Sequence, residues 1–359
     1  MTRETVISKL VGLGKGITDD ILMHESPKIL VPQRSLGNIH FNEVENLLEL
    51  GDKMSSRNFL NVAHTRKFMQ TILIAEKCKE LVSRDKTASI REMYYQLKHT
   101  IPGTKENTFD GQDESDPLIV DLETSLGSLR EELHLKADDK GTLIGKIVVE
   151  DSGDMIDCSK LGRSGLSIPS IVEHYKFREV DAEYVLVIET GAMFDRLVEE
   201  KYHLKNDCIM VSTKGQAARG CRRLVHRLND ELKLPVIMFT DGDPWGYYIY
   251  SVLKAGSMAL AHESKRLGTP KARFVGMTMT DIKAYGLEKV TEELKDVDKK
   301  RISELLQYPW FQKKEWKDEL SLMSQNSVRI EQQALASKSL EFVAEEYLPG
   351  KIEKNLLLP

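Results

Sequence analysis

Four cysteines, Cys78, Cys158, Cys208 and Cys221, lie scattered through 359 residues with no Cys-x-x-Cys pair. A disulfide framework and a zinc site are both poorly supported; buried thiols in a reducing cytoplasm are the expectation. No apolar run approaches the roughly 18 residues a membrane span needs. The start, MTRETVISKL, lacks an apolar stretch followed by a small-residue cleavage site, so neither secretion nor membrane attachment is expected. Excess positive charge is missing too. The formal net charge is -5, so any nucleic-acid surface must be a local patch. Gly12-Leu13-Gly14-Lys15-Gly16 lacks the Gly-Lys-Ser/Thr ending and the preceding strand of a phosphate loop. His262-Glu263 has no second His at zinc-protease spacing, and Gly162-Arg163-Ser164-Gly165 is not a nucleophile elbow.

Hydrophobic residues at 41% and charged residues at 30% are enough for two or three soluble domains. Residues 1–64 read as an N-terminal arm over 1–36 and a helix from about Asn42 to Gly51, together suited to assembly or partner contact. Residues 65–150 read as a winged helix-turn-helix. Its helices run from about Thr65 to Ser83, from the capping box Ser89-Ile90-Arg91-Glu92 through Leu97, and from Asp116-Pro117 through Leu133. Strands at His134–Lys136 and Thr142–Val149 would form the wing. Residues 151–180, rich in Gly, Ser and Pro, read as a linker. From residue 181 to 359 the rhythm changes. Apolar strands at Tyr184–Ile188, Cys208–Val211, Pro235–Phe239 and Arg273–Met277 alternate with helices, and the last 78 residues look largely helical. The expected class is α/β, a winged helix followed by a doubly wound, mostly parallel sheet.

Three groups of residues carry candidate chemistry. Glu189 ends the first strand of the rear domain, and Asp241 and Asp243 follow the third. Ligands of open parallel sheets gather at those carboxyl ends, and three carboxylates there suit magnesium. Helix capping is the plainer role for acids so placed. Arg91 and Tyr95 are four residues apart and share a helix face, where a guanidinium could hold a phosphate beside a phenol. Phenols titrate near 10 and need a cation or base to attack phosphorus. From spacing alone, an aromatic pair packed in a core is the commoner outcome for Tyr94-Tyr95. Lys214-Gly215 ends the second strand, and Arg219, Arg222, Arg223, His226 and Arg227 fall on one face of the next helix. Such a stripe suits a sugar-phosphate backbone, although solvated basic faces are more frequent.

The motifs Tyr184–Glu189, Lys214-Gly215 and Asp241-Gly242-Asp243-Pro244-Trp245-Gly246 resemble the Toprim fold of topoisomerases and primases. With Arg91-Glu92-Met93-Tyr94-Tyr95 ahead of them in a winged helix, the chain resembles the A-subunit family of archaeal type IIB DNA topoisomerases, from about Arg34 to Asp281. That resemblance implies an ATP-dependent topoisomerase component in which Tyr95 is the nucleophile on a DNA 5′ phosphate. Arg91 would stabilise the reacting phosphate, and Glu189, Asp241 and Asp243 would hold Mg2+. From their own spacing and charge, Lys214, Arg219, Arg222, Arg223 and Arg227 are the candidate contacts to double-stranded DNA. The resemblance further implies a homodimer of A subunits joined by an ATP-binding B subunit in an A2B2 heterotetramer, working in the cytoplasm. Alternatives are a recombination-initiating double-strand-break protein, a Toprim nuclease with a structural Tyr95, and a DNA-binding protein whose acids only cap helices.

Overall fold

The computed structural model describes residues 1–359, and the chain divides into two compact units. The first comprises Met1–His40, Leu50–Asp138 and Met258–His262. Its helices are α1 (Arg3–Leu22), α2 (Val62–Arg84), α3 (Ile90–Leu97) and α4 (Gln112–Leu126). Strands β1 (Lys28–Pro32) and β2 (Met54–Asn58) pair antiparallel. The short strands β3 (Ala88–Ser89) and β4 (Leu135–Lys136) pair in parallel. Val6 and Leu10 of α1 join Ile74, Cys78 and Val82 of α2, Met93 and Leu97 of α3, and Leu118 and Leu122 of α4 in one core. Each such side chain, once buried, contributes about 1.5–3 kcal/mol.

Several sequence expectations change here. The arm is a 20-residue helix in its first part, with Gly12, Gly14 and Gly16 inside it and no phosphate loop. Residues 47–50 form a strand, paired with 39–42, where a helix from about Asn42 to Gly51 was expected. The third helix starts at Gln112, five residues before Pro117, and ends at Gly127 in a left-handed cap, so Leu129 and Leu133 lie beyond it. Leu135–Lys136 pairs with Ala88–Ser89 instead of with Thr142–Val149. Thr142–Gly145 is buried throughout, which a solvent-facing wing could not be.

The second unit comprises Phe41–Glu49, Asp139–Ser257 and Glu263–Pro359. Its strands are β5 (Thr142–Gly145), β6 (Ile147–Asp151), β7 (Asp154–Asp157), β8 (Leu166–Ser167), β9 (Lys176–Val180), β10 (Tyr184–Ile188), β11 (Cys208–Ser212), β12 (Val236–Phe239) and β13 (Arg273–Gly276). Six of them form a sheet in the order β8-β5-β11-β10-β12-β13. The pairings among β11, β10, β12 and β13 are parallel, and β5 and β8 add an antiparallel edge. Val185, Leu186, Val187 and Ile188 are fully buried, as a strand covered on both faces must be. Strands β9, β6 and β7 make a separate antiparallel sheet, so the segment read as a linker contains β7, β8 and β9. Helices α5 (Gly191–Glu199), α6 (Arg219–Leu232) and α7 (Pro244–Ala255) follow β10, β11 and β12 in turn.

All four cysteines are free and buried. Burial pushes the Cys158, Cys208 and Cys221 thiols up to about 12, so they are protonated and unreactive. No helix is long and apolar enough to cross a membrane.

In the first unit Asp121, 7% exposed, accepts Arg34 Nη2 at 2.6 Å and is also bonded to Arg57. Removing a carboxylate from between two guanidinium groups leaves uncompensated charge. Asp121→Ala is expected to lose about 3 kcal/mol, read as a lower urea midpoint at unchanged slope.

Candidate active site

On α3 the two adjacent tyrosines part ways. Ser89 Oγ accepts the Glu92 N–H at 3.1 Å and the Glu92 carboxylate accepts the Ser89 N–H at 2.6 Å, so the expected capping box fixes where the helix begins. Met93, Tyr94 and Leu97 then face the core, which turns Arg91 and Tyr95 outward together. Tyr94 is 7% exposed, and its hydroxyl donates to the Asp110 carbonyl at 3.1 Å. Tyr95 is 63% exposed, its ring 5.1 Å from that of Tyr94. The packed aromatic pair foreseen from spacing is therefore one core residue supporting one surface phenol.

The acids sit at the carboxyl edge of the rear sheet. Ile188 pairs with Phe239, so Glu189 and Asp241 leave neighbouring parallel strands at nearly the same height. The Asp241 N–H donates to Glu189 Oε2 at 3.1 Å. Asp243 caps α7, its carboxylate accepting the Gly246 N–H at 2.6 Å. The capping role thus holds for Asp243. Asp241 makes no such bond; one of its oxygens accepts the Gln332 N–H at 2.8 Å. Two glycines make the loop possible. A Cβ on Gly242 would meet Ile330 Cγ2 at 2.7 Å, and one on Gly246 would meet the Asp241 carbonyl at 2.3 Å.

Burial, then the charges of Asp241 and Asp243, pushes Glu189 up to about 8. Burial lifts Asp241 to about 6 against the opposing Gln332 N–H, and burial raises Asp243 against the Gly246 N–H. Three partly desolvated carboxylates that resist ionising together are a hard-oxygen donor set, and a divalent cation would relieve their repulsion. The donor chemistry of these residues suits such an ion.

The support for this loop comes from a stretch that sequence patterns did not single out. Ile330 and Gly242 exchange two backbone hydrogen bonds, at 2.8 and 3.1 Å. Arg329 pairs with Glu292 and lowers the proton affinity of Asp241 and Asp243 through its charge. Gln332 is fully buried, and its Oε1 accepts the Thr190 hydroxyl at 2.8 Å. The one local signal was Val328-Arg329-Ile330, a short alternating stretch inside a region read as helical.

Lys214 is exposed at the end of β11, with its backbone in the left-handed region at φ 51. The next amide, Gly215 N–H, donates to the Glu189 carbonyl at 2.8 Å, which ties this loop to the acid edge. The rest of the basic group is not the open stripe that the helical spacing suggested. Arg222 and Arg227 are 2% and 7% exposed. Arg227 donates to the carbonyls of Val172 and Tyr175 and pairs with Glu231. Arg219 pairs with Glu263 at 2.8 Å and Arg223 with Glu173 at 3.0 Å. Segments 172–175 and 263–266 cover a face that a helical wheel alone would leave to solvent.

Three family models match the chain. Residues 66–135 match one described as type IIB DNA topoisomerase. Residues 138–181 match an all-beta domain in DNA topoisomerase VI alpha subunit. Residues 184–352 match the Toprim domain shared by the A subunit of topoisomerase 6 and Spo11. The A subunit of a type 2 DNA topoisomerase 6 from Pyrococcus abyssi is 55% identical over 99% of this chain and 96% of its own length. Proteins of the same name from Methanothermobacter thermautotrophicus and Methanocaldococcus jannaschii are 42% and 39% identical, each over 98% of this chain and over 98% and 95% of their own lengths.

The raised acids set a pH dependence. Carboxylates titrate near 4 when unfolded, so folding takes up protons between there and about 8 for Glu189. This cluster favours the metal-free fold most at low pH, and that contribution is lost as pH rises through 6 and 8. A divalent ion must displace those protons. The thermal stabilisation produced by Mg2+ or Mn2+ is expected to grow from pH 5.5 to pH 8, and scanning fluorimetry with a Glu189→Gln control checks it.

Proposed function

The chain belongs to the A-subunit family of type IIB DNA topoisomerases, and we propose that Tyr95 is its DNA-cleaving nucleophile, working with Glu189, Asp241 and Asp243. The observation that carries this reading is the outward turn of Tyr95 and Arg91 from a helix whose other aromatic, Tyr94, is buried. A solvent-facing phenol with a guanidinium one turn before it suits a phosphate.

In this reading the Tyr95 oxygen forms a bond to phosphorus while the bond from phosphorus to the 3′ oxygen breaks. The phenol proton is lost and the departing 3′ oxygen gains one. One phosphodiester is exchanged for another, so resealing needs no new energy source. Arg91 would hold the nonbridging oxygens as charge builds on them. Glu189, Asp241 and Asp243 would hold the divalent ion, magnesium in this proposal. That ion, when bound, would neutralise phosphate charge and polarise the 3′ oxygen. Gly242 and Gly246 keep the acid loop tight, and the Gln332 N–H and the Arg329 charge oppose the rise that burial gives Asp241. Lys214, exposed beside the acids, is the basic residue best placed to meet the DNA backbone.

The family resemblance supports a homodimer in which the Tyr95 of one copy meets the acids of the other, so that two tyrosines cut both strands. It also supports an ATP-binding B subunit, A2B2 assembly, duplex passage and a cytoplasmic site of action. The missing phosphate loop agrees with ATP being handled by a partner chain. A recombination-initiating role would use the same chemistry, and one matching family model covers Spo11 as well. Near full-length identity to proteins named as topoisomerase components favours the first reading.

With the B subunit, supercoiled plasmid, Mg2+ and ATP, Tyr95→Phe is expected to abolish relaxation and protein-linked linear DNA. Cleavage at the wild-type rate would remove Tyr95 from the reaction. Mixing Tyr95→Phe with Glu189→Gln copies tests the exchange between protomers. Hybrid dimers keep one intact site and nick one strand if the tyrosine works across the dimer; they cut nothing if it works within its own chain.

A further inference from the structure

A cleft of about 470 Å³ opens beside the acids and is lined by Thr142, Arg163, Ser164, Gly191, Ser212 and Lys214, with Asp195 and Glu199 also on its wall. Three independent features make it an anion site. Helix α5 begins there without a side-chain cap, because Thr190, the residue in position to cap it, gives its hydroxyl to Gln332 Oε1 at 2.8 Å. The first-turn amides of a helix have no partner within the helix, and its dipole favours negative charge in front of them. The space in front of α5 is free, since a Cβ on Gly191 would meet nothing within 4 Å. Second, Ser212 lines the cleft with its side chain 0% exposed and its hydroxyl without a hydrogen-bond partner. A buried donor in a folded protein rarely goes unused. Third, two exposed cations flank the opening. Lys214 is one; the other, Arg163, reaches Glu199 only at 4.0 Å, while Glu199 is held by Arg196 at 3.0 Å.

We propose that this cleft binds one phosphodiester group of the DNA duplex, next to the bond that is cut. Several donors approaching from different directions match a tetrahedral phosphate better than a planar carboxylate. The assignment rests on the DNA-cleaving reading above and adds a fixed point for the duplex. Such a contact carries no base information; it sets how far along the backbone the reacting phosphate lies.

The test is duplex binding by the full-length chain, measured by fluorescence anisotropy across a salt series in EDTA so that no cleavage occurs. Gly191→Asp places a carboxylate where the phosphate would sit, in open space and at a helix start that tolerates acids. Arg163→Ala removes one flanking cation. Each variant is expected to flatten the slope of log affinity against log salt by about 0.9, equivalent to about eightfold weaker binding at 0.1 M salt. Wild-type slope and affinity in both variants would overturn the proposal and leave the Tyr95 assignment standing. No duplex binding by wild type would overturn both. Inorganic phosphate at constant ionic strength forms the second arm. It is expected not to displace duplex; displacement from wild type and not from Gly191→Asp would mean a free-anion site and would overturn the duplex assignment.

Discussion

Glu189 and Asp241 emerge from neighbouring parallel strands whose pairing at Ile188 and Phe239 brings them out at nearly the same height. The sheet therefore presses like charges together in a poorly hydrated place, and most of the surrounding structure answers that repulsion. Asp243 gives one oxygen to a helix start. Asp241 takes an N–H from Gln332 and feels Arg329. Glycines at 242 and 246 let backbone amides and carbonyls come closer than any side chain would permit. The remaining cost is one that a bound cation would relieve.

The two candidate reacting groups are held in opposite ways. The acids are buried, cross-braced and raised in proton affinity. Tyr95 stands on a short capped helix, anchored only through the residues beside it in sequence. In the proposed reaction, rigid acids and a projecting phenol would suit chemistry that must run in both directions.

The sheet was legible because strands covered on both faces read as unbroken apolar runs: Tyr184–Ile188 and Cys208–Ser212 needed no knowledge of their neighbours. The acids were legible because they end such strands. Where the chain misled, tertiary burial had overridden local signals. Val6 and Leu10 are too few to announce a helix through three glycines, yet packing against α2 supports one. Asp116-Pro117 imitates a helix start although the helix is already under way. Residues 39–50 are too short for periodicity to separate helix from strand. The arginines of α6 sit at spacings that suit a solvated face, and only the folded segments at 172–175 and 263–266 show that the face is covered.

The bonds between Ile330 and Gly242 join positions that are far apart in the order of synthesis. Translation delivers the tyrosine helix first, then all three acids, and only much later the stretch that clamps their loop. A nascent chain thus carries all three acids for some time without the brace at Asp241. The acid loop can therefore take its braced form only after residues 330–332 have left the ribosome.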